Sequence, residues 1–176
     1  MLVMKAIYFA GEKHQGQKRK NSGIDYIVHP MTVMHLVTKY KGLSKHIEEL
    51  QCAALLHDVL EDTECTYIEL EREFGPLVAA IVMELTSDDK MIKKIGKNEY
   101  LKKKMLNMSK YAFVLKLIDR LANISDGPTQ RYLENTLELI EFVSLNREDM
   151  SQTQKIVIDE INRTCHEKLL KFDENL

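Results

Sequence analysis

Apolar residues recur along this chain every three or four positions, the period of α-helices that each bury one face. Val3, Ala6, Ile7 and Ala10 predict a first helix ending near Gly16, and a polar, basic loop follows to Asp25. Pro30 suits the first turn of a helix, where its missing N–H has no partner to lose. That helix runs through Val33, Met34, Leu36 and Val37 and is broken at Gly42. Ser44 is a capping residue for the next helix, over about 45–62. Thr66 and Glu69 have the spacing of a capping box and open a short helix to Phe74, and Gly75-Pro76 stops it and starts another to Leu85. Positions 86–97 are polar and read as a loop or frayed segment, and helices follow over 98–107, 111–125, 129–146 and 151–171. No alternating strand pattern, internal repeat or low-complexity segment interrupts this. The expectation is a single all-α domain, a bundle of about eight to ten helices.

Composition narrows the possibilities. A chain of 176 residues is the size of one domain, too short for a catalytic module plus a separate regulatory one. Lys and Arg total 25 against 27 Asp and Glu, so the net charge of −2 argues against a protein that coats nucleic acid. Three cysteines, Cys52, Cys65 and Cys165, form no C-x-x-C pair and read as free thiols in a reducing compartment. The longest apolar stretch, Leu77 to Met83, is far short of the ~20 residues of a membrane span, and Lys5 interrupts the N-terminal apolar run where a signal peptide would be continuous. A cytoplasmic protein with no nucleic-acid or membrane partner is expected, its oligomeric state open.

The most informative segment is Cys52-Ala-Ala-Leu-Leu-His57-Asp58-Val-Leu-Glu61-Asp62-Thr63. On a continuous helix, with His57 at zero, Glu61 falls near 40°, Asp58 near 100° and Asp62 near 140°, opposite a wide apolar face. Such a cluster is either a solvated acidic face or, if buried, a site whose mutual repulsion a cation relieves. His29, just ahead of Pro30, is either a cap or packed residue or a side chain projecting into the same site. In Val114-Leu-Lys116-Leu-Ile-Asp119-Arg120-Leu-Ala-Asn123, Lys116, Asp119 and Asn123 share one side of an otherwise apolar helix. An aspartate there needs a partner, either Lys116 or Arg120, or a metal ion.

In order along the chain, His29, His57-Asp58 and Asp119 resemble the H…HD…D signature of the HD-domain metal-dependent phosphohydrolases. The finer series is similar to the hydrolase domain of the RelA/SpoT homologues, which degrade the alarmone (p)ppGpp, and in size to their small stand-alone members of the metazoan type. It comprises His14-Gln-Gly16-Gln17-Lys-Arg19-Lys20, Tyr26-Ile-Val-His29-Pro30, Ala54-Leu-Leu-His57-Asp58-Val-Leu-Glu61-Asp62-Thr63, Phe74-Gly75 and Lys116-Leu-Ile-Asp119-Arg120-Leu-Ala-Asn123. These segments span about residues 5–140, within one hydrolase domain over 1–176 whose C-terminal helices cover 129–171. Each is weak alone; the ordered series is specific. The stretch after 147 is too short for the synthetase domain of the long relatives, so synthesis is not expected.

The resemblance implies that His29, His57, Asp58 and Asp119 bind one divalent ion, Mn²⁺ in the family. Two imidazoles and two carboxylates suit a transition ion that activates water. It further implies attack by water on the phosphorus at the ribose 3′ oxygen, releasing pyrophosphate and GDP or GTP. Glu61 and Asp62 would be the catalytic pair, their two roles undivided. Arg19 and Lys20 would hold the guanine nucleotide, Arg19 by stacking as well as charge, with Asn123 and Tyr132 also on the substrate side. One residue is inserted in this loop, so that counting back from His29 matches Lys20 and Asn21 instead. Asp25 replaces the family's proline and should leave the approach to His29 less rigid. Lys102-Lys-Lys104-Met105 stands where long relatives have His-Arg-Lys-Met, and no role carries over. Two other readings compete: an HD phosphohydrolase for a nucleoside 5′-monophosphate, a dNTP or NADPH, and a catalytically silent nucleotide- or protein-binding scaffold. The basic loop and Glu61-Asp62-Thr63 favour the alarmone, and an acidic cluster gives a silent scaffold no advantage.

Overall fold

The computed structural model describes residues 1–20 and 22–173. It is all-α: α1 (Leu2–Lys13), α2 (Val28–Lys41), α3 (Ile47–Leu56), α4 (Val59–Asp62), α5 (Tyr67–Phe74), α6 (Pro76–Leu85), α7 (Asp89–Ile95), α8 (Lys97–Asn107), α9 (Lys110–Ser125), α10 (Gln130–Asn146) and α11 (Gln152–Asp173). The chain forms two compact units, Met1–Ser87 and Asp88–Leu176. Among the described residues no helix is long and apolar enough to cross a membrane.

In the first unit α3 is the central element, packed by α1, α2 and α6. Leu50 and every residue from Cys52 to Leu56 are fully buried, so this helix is apolar nearly all round. The predicted capping at Thr66 is present: its hydroxyl accepts from Glu69 N at 3.2 Å. Gly75, at φ +85°, serves as C-cap of α5 and N-cap of α6, a left-handed turn that suits glycine, and Pro76 opens α6.

In the second unit α9 takes the central place, packed by α10 and α11. Eleven of its sixteen residues are buried. Arg147 closes the unit. Its guanidinium donates to the carbonyls of Met105 at 2.6 Å and Met108 at 2.7 Å, and lies 4.2 Å from the ring centre of Phe113. The carbonyls at the end of α8 thereby gain partners they lack within the helix.

Two segments depart from the pattern-based expectation. The helix predicted over 45–62 is split: α3 ends at Leu56, His57 and Asp58 form a turn, and the short α4 follows. The His57 ring nitrogen Nδ1 lies 2.8 Å from the Ala54 carbonyl, a last-turn acceptor of α3. Asp58, at φ −105° and ψ −2°, turns its carboxylate to partners on another segment. The polar 86–97 stretch, expected as a loop, contains α7. Asp88 caps it by accepting from Lys90 N at 2.9 Å and Met91 N at 3.1 Å, and Gly96 ends it at φ +84°. No residue of α7 is buried, so no apolar stripe marked it in the pattern.

Candidate active site

In the first unit, three of the residues singled out by the sequence come together on two segments. His29 is the second residue of α2, buried, its ring centre 5.1 Å from that of His57. His57 and Asp58 occupy the turn between α3 and α4, where neither side chain is confined to a helix face. Asp58 Oδ2 lies 2.8 Å from His57 Nε2 and 3.9 Å from His29 Nε2.

The carbonyl of Ala54 can only accept, so His57 donates to it from Nδ1–H and leaves Nε2 to act as a lone-pair donor when the ring is neutral. That lone pair faces a carboxylate oxygen at 2.8 Å. Such an approach needs positive charge between the two atoms, either a proton on Nε2 or a metal ion. Two buried imidazoles and a carboxylate oxygen therefore fit a divalent ion in donor type as well as in direction.

Glu61 and Asp62, the pair expected to be catalytic from the family resemblance, lie on α4 beside this cluster. Asp62 Oδ2 is 3.4 Å from the hydroxyl of Tyr26, which donates to Asp58 Oδ2 at 2.5 Å. Burial first, and then the nearby charges of Asp58 and Glu61, push the Asp62 carboxyl above its ordinary value, opposed by His14 and Tyr26. Glu61, which like Asp62 lies at the surface, accepts from Ser87 N through Oε2 at 2.8 Å. The two carboxylates of one motif thus face different surroundings.

In the basic loop Asp25, standing where the family has proline, takes a partner. Lys18 and Asp25 form a bridge, and their side chains pair at 2.5 Å. Arg19 N donates to Ile24 O at 2.8 Å and Tyr26 N to Gln17 O at 3.0 Å. Arg19 stands 5.9 Å from the centre of the Tyr26 ring, and Lys20 is exposed. Asn21, the alternative match for this loop, lies outside the described residues.

In the second unit α9 carries its polar residues as the helical spacing requires. Lys116 Nζ lies 3.1 Å from Asp119 Oδ2, so of the two candidate partners for this buried carboxylate the lysine is the one in place. Asn123 Nδ2 donates to Asp119 Oδ1 at 2.7 Å and to the Asp119 carbonyl at 3.0 Å. Arg120 turns instead toward α10, donating to Thr136 Oγ1 at 3.0 Å and lying 5.2 Å from the ring centre of Tyr132. Lys102, in the run to which no role carried over, pairs with Glu99 at 3.1 Å and Glu138 at 2.6 Å.

Sequence reasoning passed over three contributors. Tyr26 sits three residues before His29 within a quoted motif, and its hydroxyl is the hub of the carboxylates. His14 is buried against the Tyr26 ring at 4.8 Å and pairs through Nδ1 with Gln17 Oε1 at 2.9 Å. Gln17 in turn donates to the Asp62 carbonyl at 3.0 Å, tying the basic loop to α4. Their signal was the motif spacing itself, which marks a position without telling its job. The cysteines behave as expected: all three are free and buried. Burial pushes the thiol of Cys52 up to about 12 and those of Cys65 and Cys165 up to about 11, which leaves them unreactive at neutral pH.

Comparison with known proteins identifies the family. The HD domain family matches residues 6–138. The mouse guanosine-3′,5′-bis(diphosphate) 3′-pyrophosphohydrolase MESH1 is 33% identical over 170 residues, covering 90% of this chain and 93% of that protein. Its human counterpart is 39% identical over 125 residues, covering 70% and 68%. A bacterial 3′-pyrophosphohydrolase from Spiroplasma citri is 39% identical over 127 residues, covering 69% of this chain but only 16% of its own length. A solved structure of a metazoan orthologue of SpoT, described as hydrolysing ppGpp and acting in starvation responses, matches with a TM-score of 0.77 at 29% identity over 96% of both chains. By sequence and by fold, the chain belongs to the HD-domain family and, within it, stands with the MESH1 and SpoT-type 3′-pyrophosphohydrolases.

Proposed function

We propose that this protein hydrolyses (p)ppGpp at the ribose 3′ position, releasing pyrophosphate together with GDP or GTP. The observation that carries this is the match to mouse MESH1 along 90% of the chain, joined to a first unit that gathers His29, His57 and Asp58 around one point.

By family resemblance, His29, His57, Asp58 and Asp119 are the residues that would hold a divalent ion, Mn²⁺. When bound, the ion supplies Lewis acidity and makes water available as a nucleophile near neutral pH. Donor chemistry supports the set, since each member offers an imidazole nitrogen or a carboxylate oxygen of the kind such ions take.

The rest of the reaction falls to the protein's own side chains. The bond that forms joins the oxygen of water to the phosphorus on the ribose 3′ oxygen, and the bond that breaks joins that phosphorus to the 3′ oxygen. Water must lose a proton and the departing 3′ oxygen must gain one. Glu61 and Asp62 carry these transfers, and the raised pKa of Asp62 brings it closer to the range where a carboxyl exchanges protons at working pH. Arg19 and Lys20 hold the nucleotide by stacking and charge, and Asn123 and Tyr132 contribute further substrate contacts. The chemistry belongs to one hydrolase domain with a small-molecule nucleotide as its partner, and a cytoplasmic location suits that substrate.

The test is incubation of purified, Mn²⁺-supplemented protein with ppGpp, dNTPs and NADPH, followed by product separation. Pyrophosphate and GDP from ppGpp are expected, abolished by EDTA and reduced at least about a thousandfold in Asp58→Ala, the scale of losing a metal-activated nucleophile. Turnover of a dNTP or NADPH with ppGpp untouched would overturn the substrate while sparing the site.

A further inference from the structure

Tyr26 has no part in the mechanism above, yet it touches a proposed metal ligand, one member of the proposed catalytic pair and the basic loop of the first unit. Its hydroxyl donates to Asp58 Oδ2 at 2.5 Å and lies 3.4 Å from Asp62 Oδ2. A phenol has one hydrogen to give, so at these distances Asp58 receives it, in a short bond of the charge-assisted kind. The oxygen stands between a carboxylate proposed to bind metal and one proposed to move a proton. Its other end is equally occupied. The ring centre lies 4.8 Å from that of His14, 5.9 Å from that of His29 and 5.9 Å from the Arg19 guanidinium carbon. The last contact is within cation–π range and orients a flat cation for stacking on another flat group such as a purine.

Backbone bonds keep the side chain in this position. Tyr26 N donates to Gln17 O at 3.0 Å and His29 N to Tyr26 O at 2.9 Å, so the residue is the joint between the basic loop and the start of α2. We propose that Tyr26 is a positioning residue with two separable ends, its hydroxyl setting the Asp58 carboxylate and its spacing from Asp62, its ring seating Arg19 for the nucleotide. The side chain thereby couples nucleotide capture to the geometry of the hydrolytic centre. This rests on the proposed alarmone hydrolysis for its kinetic readout, but not for its metal-binding one.

The experiment compares full-length wild type, Tyr26→Phe and Tyr26→Leu, by steady-state ppGpp hydrolysis in Mn²⁺ and by titration calorimetry with Mn²⁺ alone. Tyr26→Phe keeps the ring and should lower kcat about tenfold with KM within about twofold, a loss of interaction at the reacting centre alone. It should also weaken Mn²⁺ binding several-fold. Tyr26→Leu should match it in kcat and metal affinity, and in addition raise KM at least about fivefold. Thermal melts establish that each variant folds, and Tyr26→Met replaces the leucine variant if that one does not. Unchanged kcat and Mn²⁺ affinity in Tyr26→Phe would overturn the hydroxyl's role, and equal KM in the phenylalanine and leucine variants would overturn the ring's. A wild type inactive on ppGpp would sink the proposed function instead, while the Mn²⁺ titration would still decide whether the hydroxyl sets Asp58.

Discussion

The two units carry their acidic chemistry in opposite ways. The first interrupts its central helix: α3 stops at Leu56, and His57 and Asp58 sit in the turn before α4. The second keeps its helix whole, with Asp119 in the body of the sixteen-residue α9, Lys116 one turn before it and Asn123 one turn after. A continuous helix can only offer a carboxylate the partners that its own spacing brings alongside. A break frees the side chains to meet groups from elsewhere in the chain, here Tyr26 and His29. The cost is the helical hydrogen bonding of the turn, partly offset by the bond from His57 Nδ1 to the Ala54 carbonyl. The first unit thus achieves convergence, the second local bracing.

The sharpest way to break this contrast is Glu61→Gln. Glu61 lies on the short helix beyond the turn, and its removal as a base or acid should cut kcat by about a hundred- to a thousandfold with Mn²⁺ affinity unchanged. Calorimetry showing lost metal binding would make Glu61 a ligand and extend the convergent cluster. A smaller effect is expected from the braced side. Asn123→Ala removes the donor that holds Asp119 Oδ1, and should lower kcat and raise KM by about five- to tenfold each. A change in KM alone would mean that Asp119 keeps its orientation without its helical neighbour, and that bracing is not what the unbroken helix provides.

The smallest expected effect concerns stability and the surface that carries the first unit's turn. Glu69 is held below its ordinary value chiefly by the hydrogen bond and charge of Lys13, and Glu73 by Lys5 and Arg72. A depressed carboxyl stabilises the fold above its unfolded pKa, and that contribution disappears as pH falls through the folded value. Both carboxylates being partly open to solvent, the effect is modest. Urea midpoints should therefore fall between pH 6 and pH 3, and Glu69→Gln should lower the midpoint at pH 6 and shrink the fall. A fall of the same size in Glu69→Gln would show that this pair contributes nothing.

Much of the molecule was readable in advance where short-range rules act alone. The α5–α6 junction followed from Thr66, Glu69, Gly75 and Pro76, each doing at its own position what its covalent structure favours. That Lys116, Asp119 and Asn123 share one side of α9 followed from helical spacing. By contrast, a continuous helical wheel put Glu61 nearer to His57 than Asp58, and the real turn reverses that: Asp58 is the residue at 2.8 Å from the imidazole. Arg120 was as good a candidate as Lys116 for pairing with Asp119 until α10 supplied Thr136 and Tyr132. In α7 the apolar pattern was silent because the helix buries nothing, and its ends are set by Asp88 and Gly96 instead.

By itself, then, the order of residues determined an all-helical chain and the helix faces on which many ionisable groups fall, because these depend on periodicity, and it carried the motif series whose resemblance pointed to the family. Only the tertiary structure decided that the helix breaks at His57, that Asp58 meets Tyr26 and both histidines, and that Asp25 is pinned by Lys18. Those outcomes depend on which segments, distant along the chain, offer a donor or a carbonyl within about 3 Å of one another, and hydrogen bonds of that reach outweigh local preference wherever burial removes water as an alternative partner.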